Sequence, residues 1–139
     1  MSENKIPKQG PMAQPTSVNE GAKLLKKYAF QAPDKCNLVK FETEEFTSVC
    51  PNTGQPDFST LIIEYIPAQK CIESKSLKFY LWAFRDYGAY CEQLSQKIAE
   101  DIVTAVGPKE VSVTVKQNIR GGIALDATTT LSKKNDYKC

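Results

Sequence analysis

The stretch Phe46-Thr47-Ser48-Val49-Cys50-Pro51-Asn52-Thr53-Gly54-Gln55-Pro56-Asp57-Phe58 places a thiol and a carboxyl seven residues apart, with two prolines and a glycine between them. That composition breaks a regular helix or a central strand, so Cys50–Asp57 is expected to be a loop. Loops held by rigid elements often carry nucleophiles. A thiolate is the reactive form of cysteine, and its reaction needs a partner to supply or remove a proton. Asp57 is that partner if the loop curls back on Cys50. A buried structural cysteine with a turn-capping aspartate would also account for the pair.

Three further segments offer polar chemistry. Glu73-Ser74-Lys75-Ser76-Leu77-Lys78 reads as a helix start, with Ser74 or Ser76 as the N-cap and two lysines close to free backbone N–H groups, a setting for an anion. Ordinary capping with solvated lysines is the plainer account. Tyr90-Cys91-Glu92 falls within the longest helical pattern, with Cys91 on its apolar stripe and Glu92 beside it. A partly buried Glu92 needs a partner, such as the adjacent N–H donors of a base like guanine, unless it is simply a surface residue. Ile119-Arg120-Gly121-Gly122-Ile123 combines a phosphate-suited arginine with a diglycine, or is only a hairpin turn.

Composition limits what these groups do. The 139 residues include five cysteines and no histidine, so the chain alone builds neither a Ser-His-Asp arrangement nor a histidine-bound metal site. Cys36, Cys50, Cys71, Cys91 and Cys139 form no CxxC pair, and no metal site is expected. An odd count, no apolar leader and no run long enough to span a bilayer point to the cytoplasm, where thiols stay reduced. Residues 1–35 carry a net charge of +3 and residues 36–139 a net of −1. A body without excess positive charge argues against direct nucleic-acid binding. The basic stretch Lys23–Lys27 is read as a solvated surface.

The elements that must position these groups follow from periodicity. Residues 1–35 are expected as an N-terminal tail, partly flexible, in which 20–30 form a short helix or a strand. The domain runs over 36–131, and 132–139 form a second tail. Asn37–Phe41 and Ser59–Pro67 read as strands, the second apolar on both faces and so covered on both. Leu77, Leu81, Phe84, Gly88, Cys91, Leu94, Ile98, Ile102 and Val106 recur every three or four residues, predicting two helices or one kinked near Gly88. Gly107-Pro108 stops that pattern. Val111, Val113 and Val115 alternate with polar residues as a strand, and Ile123–Thr128 returns after the diglycine turn. Strand, strand, helices, strand, strand makes an α+β domain with an antiparallel sheet.

Taken together and in order, the Phe46–Phe58 loop, Glu73–Trp82 (ESKSLKFYLW), Phe84–Glu92 (FRDYGAYCE) and Arg120–Gly122 resemble the NADPH-dependent nitrile reductases of queuosine biosynthesis, the 7-cyano-7-deazaguanine reductases of the QueF type. The resemblance covers about residues 37–130. It implies a tunnelling fold like that of GTP cyclohydrolase I, with ββααββ subunits in an oligomeric barrel, a pentamer or decamer, and active sites between subunits. It implies that Cys50 attacks the nitrile carbon to form a thioimide and that Asp57 donates the proton. It places Ile72, Glu73, Ser74, Cys91 and Glu92 at the substrate, and Ser74, Lys75, Arg120 and Gly121 at NADPH. Tyr87 and Cys91 each stand where that family commonly has histidine. The alternatives are a paralogue that acts as an amidinotransferase on a nitrile-bearing tRNA base, and a purine- or pterin-binding oligomer without turnover.

Overall fold

The computed structural model describes residues 13–137. Cys139 and residues 1–12 of the expected tails lie outside the described residues.

Four strands form the main antiparallel sheet in the order β2-β3-β5-β6, with β2 at Val39–Val49, β3 at Pro56–Ile66, β5 at Glu110–Arg120 and β6 at Ile123–Ser132. Helices α2 (Ser74–Trp82) and α3 (Cys91–Val106) fall between the two hairpins, giving the expected ββααββ order. Leu61, Ile63 and Tyr65 on β3 and Val111, Val113 and Val115 on β5 are buried in one core with the helices. The opposite face of β3 carries Phe58, Thr60, Ile62, Glu64 and Ile66, which stay partly or fully exposed. The apolar residues on that face therefore have no cover among the described residues.

Part of the segment expected as a tail is core. Helix α1 (Val18–Tyr28) starts at Ser17, whose hydroxyl accepts from the Glu20 N–H, and buries Leu25 completely. It is followed by β1 (Phe30–Gln31), which pairs with β4 (Lys70–Cys71) in a small second sheet. A polar network ties the three helices: Tyr80 donates to Asp101 Oδ2 at 2.7 Å, while Lys97 donates to Asp101 Oδ1 and Asn19 Oδ1, each at 3.0 Å. At the other end, Tyr137 donates to the Pro108 carbonyl at 2.6 Å, so the chain past Ser132 is anchored at least that far.

The helical stripe divides where its glycine falls. Helix α2 passes into a 3-10 turn at Ala83–Asp86, and residues 87–90 run extended before α3. Val49 donates to the Tyr87 carbonyl and Ala89 donates to the Val49 carbonyl, so this link forms a parallel bridge, Val49 to Gly88, with the end of β2. Among the described residues no helix is long and apolar enough to cross a membrane.

Candidate functional site

Two irregularities in the sheet aim the polar side chains. On β2 the register against β3 shifts between Thr43 and Phe46 by one residue. Such a bulge exchanges the faces of a strand. Before it, Phe41 and Thr43 face the helices; after it, Phe46 and Ser48 do, and Cys50 follows in the same phase. A second shift, between Gln117 and Arg120 on β5, does the same for Arg120. Neither bulge is visible in the hydrophobic pattern, although the acidic run Glu42–Glu45 interrupts the alternation at the first.

The expected Cys50–Asp57 loop is shorter than its composition suggested. Cys50 N–H donates to the Gln55 carbonyl and Gly54 N–H donates to the Cys50 carbonyl, each at 2.9 Å, closing a tight turn. Strand β3 begins at Pro56, so Asp57 belongs to the strand, in register with Ser48. Pro56 is tolerated there as the first residue of its strand. The hairpin itself brings the aspartate back toward Cys50.

Asp57 is 7% exposed. Arg120 Nη1 donates to its Oδ1 at 2.6 Å from a half-exposed side chain. Cys50, Asp57, Cys91, Glu92 and Arg120 all line one cavity of about 240 Å³. Tyr90, Cys91 and Glu92 are not in mid-helix: Tyr90 is the N-cap of α3, and Cys91 and Glu92 form its first turn. The extended link through Gly88 ended the earlier helix, so the stripe continued in sequence but not in one element. Glu92 is exposed rather than partly buried. Its carboxylate has no hydrogen-bond partner among the described residues. The Tyr90 hydroxyl donates to Asn52 Oδ1 at 3.2 Å, which fastens the Cys50 turn to the start of α3.

The thiols differ sharply. A hydrogen bond from the Thr53 side chain, then those from the Asn52 and Thr53 backbone, hold the half-buried Cys50 below the ordinary thiol value. Burial, with Glu92 and Asp57 nearby, pushes Cys91 up to about 11. Burial also raises Cys71. With iodoacetamide, Cys50 is therefore expected to react first, and at lower pH than an ordinary thiol. Peptide mapping after brief labelling between pH 6 and 9 checks this; preferential labelling of Cys91 would contradict it.

The remaining sequence-predicted residues lie elsewhere. Ile72 donates its N–H to the Tyr65 hydroxyl at 2.8 Å. Tyr65 is eight residues along β3 from Asp57, or about 26 Å at about 3.3 Å per residue. The N-cap of α2 is Glu73, not Ser74 or Ser76: its carboxylate accepts from the Lys75 and Ser76 N–H groups at 2.8 and 2.7 Å. Ser74 and Lys75 are exposed beside it. Gly121 sits in the β5–β6 turn; both it and Gly122 have positive φ, and a Cβ on either would meet nothing within 4 Å. Tyr87 packs edge to face on Phe84, with ring centroids 5.3 Å apart, and lies outside the Cys50 cavity.

This architecture is the tunnelling fold. A solved relative, an archaeosine synthase QueF-Like in the apo form, superposes with a TM-score of 0.65 at 27% identity, covering 70% of this chain and 95% of that one. A family model described as QueF-like protein matches residues 56–136. The NADPH-dependent 7-cyano-7-deazaguanine reductase of Halorhodospira halophila is 44% identical over 104 residues, 75% of this chain and 88% of that protein. The enzyme of the same name from Thioalkalivibrio sulfidiphilus is 41% identical over 105 residues, 76% of this chain and 81% of that protein. The chain belongs to the QueF family.

Proposed function

We propose that this chain is an NADPH-dependent oxidoreductase that reduces the nitrile 7-cyano-7-deazaguanine to 7-aminomethyl-7-deazaguanine, a step in making the tRNA base queuosine. The names of its relatives support the reaction. The observation that carries it is the meeting of Cys50, with its lowered pKa, and Asp57 in one cavity with Glu92. At about 240 Å³ that cavity lies just below the range of about 300–1,000 Å³ for drug-sized ligands, which suits a small fused ring.

The Cys50 thiolate forms a C–S bond to the nitrile carbon, and one π pair of the C≡N bond moves to nitrogen. Asp57, having taken the proton of the Cys50 thiol, gives it to that nitrogen, leaving a covalent thioimide. Arg120 engages Oδ1, so Oδ2 is the oxygen free to serve. Glu92 accepts from N–H groups on the ring edge. Two molecules of NADPH would supply one hydride each; with one further proton these take the thioimide to the primary amine, and the C–S bond breaks on the way to return the Cys50 thiolate. Exposed Ser74 and Lys75 and the open Gly121 turn fit a phosphate-bearing cofactor. Because Glu73 already occupies two N–H groups of α2, side chains rather than the helix end would meet the phosphates. A reducing, cytoplasmic setting keeps Cys50 a free thiol.

Ile72–Lys75 and the Cys50 cavity lie far apart in one chain, so a complete site takes one group from each of two neighbouring copies in a homo-oligomer. The uncovered face of β3 and the separation of the half-sites support this reading. The first test is NADPH oxidation with 7-cyano-7-deazaguanine: no substrate-dependent oxidation sinks the reductase reading, and amidine formation without NADPH would favour the amidinotransferase. The second mixes two inactive variants, Cys50→Ala and Lys75→Ala, after unfolding and refolding together. Recovered activity is expected, because some interfaces then hold both wild-type groups; none would place both in one chain.

A further inference from the structure

The inward face of the sheet changes character along its length. Strand β3 presents Tyr65, Ile63 and Leu61 to the helices, then Ser59 and Asp57; β5 presents Val111, Val113 and Val115, then Gln117. Ser59 pairs with Gln117, and Ser48 with Asp57. On β3 and β5 the inward positions nearest Cys50 are thus polar where the rest are apolar, with buried Phe46 of β2 on the other side of Ser59. Polar residues at positions that the pattern assigns to core mark places where function overrides packing.

Among the described residues four serines are fully buried: Ser48 at 1% exposure, Ser59 at 2%, Ser76 and Ser95. The two in helices are satisfied. Ser76 Oγ donates to the Glu73 carbonyl at 2.8 Å, and Ser95 Oγ bonds the Glu92 carbonyl and the Thr129 hydroxyl. The two in strands have no side-chain hydrogen bond among the described residues. Both line the Cys50 cavity, and Gln117 lines it beside Ser59. Buried hydroxyls are ordinarily paired, so an unpaired one facing a cavity is completed by what fills it.

We propose that Ser48 and Ser59 contact the substrate, hydrogen-bonding a planar nitrogen heterocycle through its polar atoms and setting which heterocycle the cavity accepts. This rests on the reductase reading above. Ser48 shares a face with Cys50 and stands opposite Asp57, so it serves the nitrile end. Ser59, one rung further in and paired with Gln117, serves the ring.

The experiment uses the full chain in a Cys50→Ala background, which binds without bond formation. Ser48→Ala, Ser59→Ala and the double variant are compared by calorimetric titration with 7-cyano-7-deazaguanine and by thermal unfolding without ligand. Each single change is expected to raise the dissociation constant about 3- to 10-fold, the range of one neutral hydrogen bond. The unfolding midpoint should stay level or rise, because the ligand-free protein loses no bond. Unchanged affinity in both single variants overturns the assignment. A lowered midpoint with unchanged affinity also overturns it, showing that the hydroxyls serve the fold. If wild-type protein oxidises no NADPH with this nitrile, the reductase reading itself has failed, and this inference falls with it.

Discussion

Replacing Cys50 by serine is expected to lower NADPH-dependent conversion of 7-cyano-7-deazaguanine by roughly 10³-fold or more. The change is nearly isosteric and keeps the backbone bonds that close the turn, Cys50 N–H to the Gln55 carbonyl and Gly54 N–H to the Cys50 carbonyl. What it removes is an ionisable, polarisable sulfur. The groups that lower the Cys50 pKa, chiefly the Thr53 side chain and then the N–H groups of Asn52 and Thr53, cannot ionise a serine hydroxyl at neutral pH. Among the described residues Cys91 is the one other thiol that lines the cavity, and it does not take over. Cys91 faces the same cavity, but burial holds it protonated up to about 11, and Cys71 is buried on the small second sheet. Intact mass measured with substrate and no NADPH should show one substrate adduct on the wild type and none on Cys50→Ser. A Cys50→Ser variant that keeps its full rate would remove the thiol from the mechanism.

How much of this was legible in the residues depends on the range of the cause. The valine alternation of β5, the stop at Gly107-Pro108 and the hairpin at Gly121-Gly122 are local, and the structure carries all three. The class, α+β with two hairpins around paired helices, follows from their order. What failed was non-local. Ser74 and Ser76 are good N-cap residues by type, yet Glu73 caps α2 because its longer side chain reaches both the Lys75 and Ser76 N–H groups. Tyr90-Cys91-Glu92 looked like mid-helix because the apolar spacing runs through Gly88 unbroken. The pairing of Gly88 with Val49, 39 residues earlier, makes it a helix start. The status of α1 depends on what covers Leu25, which its own polar and lysine-rich neighbours do not reveal.

The site shows the same division. Cys50, Asp57, Glu92 and Arg120 could be chosen by type, and the structure brings them to one cavity. Their convergence depends on two single-residue bulges and on the ion pair of Arg120 with Asp57. A bulge leaves no composition signal, because it changes which face a residue takes rather than what the residue is. Ser48 and Ser59 were not singled out as site residues for that reason: a serine in a strand is unremarkable until its face and its missing partner are known.

Phe84→Ala is expected to cost about 3–5 kcal/mol of folding stability. Phe84 is completely buried at the 3-10 turn between α2 and α3. Its ring meets Phe46 at 5.5 Å, Tyr80 at 5.2 Å and Tyr87 at 5.3 Å between centroids, the last two edge to face. Those partners come from β2, α2 and the extended link, so no single element can close over the space left behind. At about 4 °C per kcal/mol, unfolding should shift down by about 12–20 °C. Urea unfolding at one fixed protein concentration checks this, with the slope against denaturant unchanged. Activity should fall as well, because the Phe84 ring seats Tyr87, whose carbonyl accepts from the Val49 N–H next to Cys50. Phe84→Leu, which refills most of the volume, should recover much of both. A loss below about 1 kcal/mol with an unchanged slope would show that the cluster does not hold this turn, and that the seating of α3 against Cys50 rests on the backbone bridge alone.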